Sequence, residues 1–304
     1  MNKLTIGSRG SKLALWQANA IRDMILEVYP DLEIQINIIK TQGDLNLDKP
    51  LQEIGGKTVF TTELETALDN HQIDLAIHSL KDLPSTLPDD LIYFGSPHRE
   101  DIRDVFISNK WKTIGDVPDK GMIATGSNRR KAQLLQHRPD LQVKGLRGNI
   151  DTRLKKLEKS NWDGIITAAA AMHRLDLKNS ISQYLDPENF VPAAGQGALG
   201  LEIVAEREDI KSILSEIIDE DTTSCCKAER IFIAQFESDC FSPMGCWARI
   251  IKDNSLIITG YVASLNGLHK LQSSIKGNIV MAEKLAIKLA DDMIKNGALE
   301  IIAK

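Results

Sequence analysis

From residue 125 to 156 the chain reads TGSNRRKAQLLQHRPDLQVKGLRGNIDTRLKK. Nine cations (Arg129, Arg130, Lys131, Arg138, Lys144, Arg147, Arg153, Lys155, Lys156) stand there against two anions, Asp140 and Asp151, a balance of nine minus two, +7. The whole chain, with 37 basic and 42 acidic residues, carries a formal charge of -5. Guanidinium forks match the paired oxygens of carboxylates and phosphates, so such a cluster can hold an anion. By counting alone, a solvated basic face on two amphipathic helices fits equally well. A second stretch, HSLKDLP, sets Ser79, Lys81 and Asp82 close together; taken by itself, Asp82 before Leu-Pro is a turn residue. A third, ESDCFSPMGC, holds Cys240 and Cys246.

Composition narrows the anion. Nucleic acid also wants clustered Arg and Lys, yet residues 125–156 contain no aromatic side chain for base stacking and the protein as a whole is acidic. Small carboxylated ligands fit better. All four cysteines, Cys225, Cys226, Cys240 and Cys246, lie in the last 80 residues without paired zinc spacing. The expectation is free thiols, no metal, and a soluble cytoplasmic protein with no membrane association. The apolar stretch near the N-terminus is too short for a signal peptide, and GIITAAAAM, the longest small or apolar run, is far short of a membrane span.

The elements that must position these residues follow from periodicity. LTIGSR reads as a buried strand, Ser11 as the cap of a helix carrying Leu13, Trp16, Ala20, Ile21 and Ile25, and EIQINII as the next strand. Thr62 and Glu65 form a capping-box signature for a helix to about residue 70, and DLAIHSL is a further strand. The alternation argues a parallel sheet covered by helices. After residue 100 it restarts: GMIATGS, LQVKGL and GIITAAA as strands, NRRKAQLLQ and NIDTRLKKLEK as helices. A third region follows with the helix TTSCCKAERIFIAQFE, three strands, and a helix over about 279–296. Ligands of such sheets bind beyond the carboxyl ends of the strands, where helix N-termini converge. There Thr125 and Ser127 lead into the helix bearing Arg129 and Arg130, and Arg147, Gly148 and Asn149 fill the next turn, with Arg153 one turn in.

In this order, IGSRGSKLALWQA, GDLNLDKPL, GGKTVFTTELE, DLAIHSLKDLP, RRKAQL, RPDL, LRGNIDTRLKKL, PAAGQGALGLE and AERIF resemble the porphobilinogen deaminase (hydroxymethylbilane synthase) family over almost the whole chain, from about residue 4 to about residue 301. The resemblance implies an α/β fold: two periplasmic-binding-protein-like domains flanking a cleft, with a smaller C-terminal α+β domain built on a three-stranded antiparallel sheet. The domains would be 1–98 with 198–216, 99–197, and 217–304. It implies a transferase that joins four porphobilinogen molecules head to tail on a covalent dipyrromethane cofactor, losing ammonia at each step, and then hydrolyses off hydroxymethylbilane for tetrapyrrole and haem biosynthesis.

The same resemblance implies the roles. Asp82 would be the catalytic carboxylate, and Cys240 the thioether attachment of dipyrromethane. Lys81, Thr125, Ser127, Arg129, Arg130 and Gly148 would hold the cofactor. Arg9, Ser11, Gln17, Lys57, Phe60, Arg147, Asn149, Arg153 and Arg174 would hold substrate. No metal or macromolecular partner is implied, and the protein would be a monomer. Two departures touch the site: Ser238 and Asp239 stand where the family has two glycines before the cysteine, and Gln42 and Glu53 replace frequent cations in a lid-like stretch, 42–60, hinged at Gly55-Gly56. A catalytically impaired homologue and an anion-binding solute or effector receptor remain the alternatives.

Overall fold

The protein is described here from a computed structural model covering residues 2–45, 58–236 and 242–304. The chain begins with β1 (Lys3–Ser8), α1 (Lys12–Val28), β2 (Glu33–Ile38), α2 (Gln42–Leu45), α3 (Thr62–Asp69), β3 (Leu75–Ser79) and β4 (Leu91–Gly95). It continues through β5 (Asp104–Ile107), β6 (Met122–Ala124), α4 (Asn128–His137), β7 (Gln142–Lys144), α5 (Ile150–Lys159), β8 (Gly164–Ala168), α6 (Ala169–Arg174) and β9 (Gln183–Tyr184). Then come β10 (Leu199–Val204), α7 (Glu208–Ser215), α8 (Glu220–Ala234), β11 (Met244–Ile250), β12 (Ser255–Ala263), β13 (Lys270–Asn278), α9 (Ala282–Lys295) and α10 (Ala298–Ile302). These fold into two compact units, Met1–Glu100 with Ala198–Thr223, and Asp101–Gly197 with Ser224–Lys304.

The first unit is a five-stranded sheet in the order β2-β1-β3-β10-β4. β1 pairs parallel with β2 and β3, but β10 runs antiparallel to both β3 and β4. The expectation of a purely parallel sheet is therefore corrected. Leu199 pairs with Ser79, the last residue of β3, so β10 enters at the carboxyl edge and has to run back. Helix α1 forms because Ala14, Ala18, Ile21 and Ile25 make one apolar stripe, buried with Leu4, Ile6, Leu75 and Ile77. Each large aliphatic side chain so buried contributes about 1.5–3 kcal/mol. Ser11 caps the helix, accepting from the Ala14 amide at 3.2 Å. The capping box expected at Thr62 is not formed: Thr61 is the N-cap of α3, without a side-chain cap bond, and its hydroxyl engages Glu65 instead.

The second unit holds a sheet in the order β7-β6-β8-β5-β9, in which β6 is parallel to β7 and β8 while β5 is antiparallel to β8 and β9. It also holds the antiparallel sheet β11-β12-β13. One face of that small sheet is buried with α8, α9 and α10 around Phe232, Cys246, Ile258 and Leu289. A smaller cluster of Ala132 from α4 with Val191, Tyr261 and Ala263 packs β12 against the helix that carries Arg129 and Arg130. Glu229 of α8, fully buried, accepts from the amides of Gly195 at 2.6 Å and Ala248 at 2.8 Å. The two α/β sheets and the three-stranded antiparallel sheet agree with the fold class expected from the sequence.

Candidate active site

In the first unit the site residues expected from the sequence lie where β1 and β3 end. Beyond β3 the chain closes a 3-10 turn, Leu80–Asp82, with the Leu83 amide donating to the Leu80 carbonyl at 3.1 Å, and the Leu80 amide is fixed by the Ala198 carbonyl at 3.1 Å. Lys81 and Asp82 are both half-buried in that turn. Gln17 of α1 is buried and donates from Nε2 to Ser79 Oγ at 2.8 Å, tying the helix to the strand end just before Lys81. After β1, the Arg9 guanidinium lies 4.2 Å from the centroid of the Phe60 ring, a cation–π contact that orients it. Lys57, the Gly55-Gly56 hinge and Cys240 lie outside the described residues.

Within the same sheet, sequence reasoning missed a buried pair. His78 Nε2 is 2.8 Å from Glu202 Oε2, with side-chain exposures of 4% and 0%, and Glu202 Oε1 has no hydrogen-bond partner among the described residues. Burial, with Glu202 nearby adding to it, pushes the Glu65 carboxyl up despite the hydrogen bond of Thr61.

In the second unit the site is built on two strand-to-helix turns. Ser127 caps α4, its Oγ accepting from the Arg130 amide at 3.4 Å, and Thr125 Oγ1 accepts from the Ser127 amide at 3.3 Å. Asn149 caps α5, accepting from the Thr152 amide at 3.0 Å. The turns touch: a Cβ on Gly126 would collide with the Leu146 carbonyl. Gly148 sits at φ 110°, a conformation that costs little only without a side chain. Arg153 reaches back from α5, Nε donating to the Gly148 carbonyl at 2.7 Å. Arg147 Nη1 is buried and has no hydrogen-bond partner among the described residues. Arg174 donates from Nη2 to the Gly197 carbonyl at 2.7 Å.

Arg129 and Arg130 are 4% and 5% exposed, and their partner is a residue that sequence reasoning missed. Arg129 Nη1 donates to Asp104 Oδ2 at 2.7 Å and to the Val191 carbonyl at 2.6 Å. Arg130 Nε donates to Asp104 Oδ1 at 2.8 Å, and Gln196 Nε2 donates to the same oxygen at 2.9 Å. Burial alone would push the Asp104 carboxyl up, but the charges and hydrogen bonds of Arg129 and Arg130 overcome it and hold the group well below the usual carboxylate range. The sequence signal was slight: one of three acids in REDIRD, but the one abutting the apolar run VFI. An acid at the head of a strand facing two arginines could have been suspected as their counter-ion.

Taken singly, the first unit's strand end offers a carboxylate and an amine, and the second unit's offers four arginines, one with a buried N–H unpartnered among the described residues. Arginine forks of this kind can pair with carboxylates, and a carboxylate at a strand end can move protons or stabilise positive charge. Comparison with known proteins makes the reading specific. The sequence profile described as "Porphobilinogen deaminase, dipyromethane cofactor binding domain" matches residues 4–212, and that described as "Porphobilinogen deaminase, C-terminal domain" matches residues 223–295. The porphobilinogen deaminase of Staphylococcus carnosus is 42% identical over 99% of this chain and 98% of its own, and that of Chromobacterium violaceum 43% identical over 100% and 98%. Among solved structures, the methionine-binding protein MetQ superposes with a TM-score of 0.47 at 11% identity, covering 79% of this chain and 95% of its own; at that level the likeness carries no argument. The chain belongs to the porphobilinogen deaminase family.

The residues present suit a cofactor bearing carboxylate arms. Buried Arg147 Nη1, without a hydrogen-bond partner among the described residues, calls for an anion. Among the described residues no group of three or more His, Cys, Asp and Glu side chains could hold a metal ion. Cys225, Cys226 and Cys246 are buried thiols, with Cys225 and Cys246 in one apolar cluster.

Proposed function

We propose that this chain condenses four porphobilinogen molecules head to tail with loss of ammonia and releases hydroxymethylbilane, as a transferase of tetrapyrrole biosynthesis carrying covalent dipyrromethane. Family membership over nearly the full length supports the activity. The observation that carries the site reading is the cationic edge of the second unit, where a buried guanidinium N–H has no partner among the described residues. Substrate and cofactor are pyrroles with acetate and propionate arms, and Arg forks are suited to hold them.

The cofactor supplies the pyrrole to which the first substrate unit is joined. Toward it, Arg129 and Arg130 neutralise carboxylates, with Lys81, Thr125 and Ser127 as further donors and Gly148 keeping the turn open. Toward substrate, Arg147 and Arg153 present charge from the head of α5, Asn149 holds that helix start in place, and Arg9, Ser11, Gln17, Lys57, Phe60 and Arg174 complete the set. Cys240 provides the thioether sulfur. Asp82 stays close to the reacting pyrrole nitrogen, stabilises positive charge as ammonia leaves, and assists proton transfer to the departing amine. The division of labour follows segments 1–98 with 198–216 for the acid, 99–197 for the arginines and 217–304 for cofactor attachment.

The protein acts as a cytoplasmic monomer without nucleic acid or membrane partners. In support, Arg129 and Arg130 are buried against Asp104 rather than displayed to a phosphate backbone, and no helix among the described residues is long and apolar enough to cross a membrane. Incubation of the purified chain with porphobilinogen, followed by oxidation and uroporphyrin fluorescence, tests the activity directly. A red colour with Ehrlich's reagent tests for bound dipyrrole. Absence of both would leave the solute-receptor reading in its place.

A further inference from the structure

Beneath the turn that carries Asp82, β3 and β10 each place one polar residue inside an otherwise apolar run. His78 stands one rung below Ser79 and opposite Gly200, and Glu202 stands opposite Ala76. Each faces a small residue, so the imidazole and the carboxylate can meet on the diagonal between the strands, with Nε2 and Oε2 2.8 Å apart. Both side chains are buried, and α3 closes this face with Leu64, Ala67 and Leu68 packed around Ala76. Stability does not explain the pair. The cost of taking a carboxylate out of water is offset only when its oxygens find donors, and an apolar pair of similar volume is often as stable or more so. Here Glu202 Oε1 has no hydrogen-bond partner among the described residues. What the pair does supply is a fixed fit of β10 to β3 at one place. Leu80, the first residue of the turn, is buried directly over Gly200, where an added Cβ would stand 2.9 Å from Leu80 Cδ1. Its amide is held by the Ala198 carbonyl at 3.1 Å, and Lys81 and Asp82 follow at once.

We propose that His78 and Glu202 are positioning residues for Asp82: their buried cross-strand bond locks β10 to β3 under Leu80 and so fixes where the Leu80–Asp82 turn presents its carboxylate. This rests on the reading that Asp82 is the reacting acid. Neither residue touches substrate; both act through the seat of the turn, as supporting hydrogen bonds do for a reactive group. A group displaced by about 1 Å loses about 10²-fold in rate. The effect therefore belongs in turnover and not in ligand affinity.

The test uses the full-length chain, its cofactor loading checked by intact mass spectrometry, as wild type, the double variant His78→Leu/Glu202→Leu, Glu202→Met, Asp82→Asn, and Leu214→Ala, the last a buried core residue of α7 in the same unit. Initial rates separate kcat from KM, thermal melts read stability, and hydrogen exchange reads the Leu80 and Leu83 amides, both bonded in or beside the turn. The double variant is expected to melt no earlier than wild type. It should nevertheless lose kcat at least about tenfold, with KM within about twofold and faster exchange at those two amides. Leu214→Ala should show the reverse, melting earlier while kcat and exchange in the turn stay those of wild type. A double variant with wild-type kcat overturns the inference, as does Leu214→Ala losing kcat in step with its stability. If the double variant does not fold, Glu202→Met decides, since it removes the bond at nearly constant volume: wild-type kcat and exchange overturn the proposal. Near-normal turnover of Asp82→Asn overturns the reading of that acid, and this inference with it, whereas an inactive Asp82→Asn beside a fully active double variant overturns this inference alone.

Discussion

The two α/β sheets share one strand order, three parallel strands followed by an antiparallel one and an edge strand, yet the buried acids on their antiparallel strands differ. In the second unit Asp104 stands on β5 at the carboxyl edge, and both of its oxygens are bonded by arginines. The position paired in the same way in the first unit, opposite the last residue of β3, is Leu199. Its acid, Glu202, lies deeper, opposite Ala76, and meets His78, while its other oxygen has no hydrogen-bond partner among the described residues. One architecture thus yields two edges: an apolar one that supports a turn carrying Asp82, and a polar one that seats cations. The identity of one residue at the edge of the fourth strand decides whether guanidinium groups can be buried beside it.

If that division is functional, the largest effect lies in the first unit. Asp82→Asn is expected to lower turnover about 10²- to 10⁴-fold, the usual weight of a positioned acid or base, with the melting temperature little changed because the substitution is isosteric and the side chain only half-buried. Near-normal turnover in stopped assays would remove the acid from the chemistry and leave the arginines as the whole site.

The next effect belongs to the second unit. A Cβ on Gly245 would stand 2.7 Å from the Pro192 carbonyl, 3.0 Å from that of Val191 and 3.2 Å from Arg129 Cδ. The Cys246 amide donates to Pro192 at 3.1 Å, so β11 cannot retreat cheaply. Gly245→Ala should cost about 1–3 kcal/mol through overpacking. Chemical denaturation with a probe in each unit would show the loss in the second and none in the first; an equal loss in both would dissolve the distinction.

Much of this was legible because it is local. Ser11 and Ser127 read as caps from their positions before amphipathic runs, and the structure gives each its hydrogen bond. Arg147, Gly148, Asn149 and Arg153 read as one turn and helix start, and Gly148 O to Arg153 closes it. What failed is non-local. β5 and β10 are short apolar runs whose pairing partners, β8 and β3, lie far away in the chain, so neither periodicity nor a flanking helix marks them. Asp104 stayed hidden for the same reason, since its meaning depends on arginines 25 and 26 residues later. The Thr62–Glu65 box failed because α3 starts one residue early: Thr61 is its N-cap, Thr62 lies within the helix, and Glu65 hydrogen-bonds Thr61 instead.

The finest test sets the acids of the two units against each other by pH. Asp104 has a folded pKa below its unfolded value, so its stabilisation is present above about pH 4 and is lost only as pH falls through the lower folded value. The melting difference between wild type and Asp104→Asn should therefore be constant from pH 8 to pH 5. Glu65 has the opposite sign: its folded pKa is raised, so folding favours the protonated acid and stability falls as pH rises through that value. Because Glu65 is partly exposed and screened, Glu65→Gln should raise the melting temperature by only about a degree or two at pH 7–8. At a pH below the unfolded carboxylate value, both chains carry a neutral side chain there and the gain should vanish. A Glu65→Gln gain that persisted undiminished into acid would mean that packing, not charge, separates the two residues, and that the unpartnered oxygen of Glu202 does not bear on its neighbour.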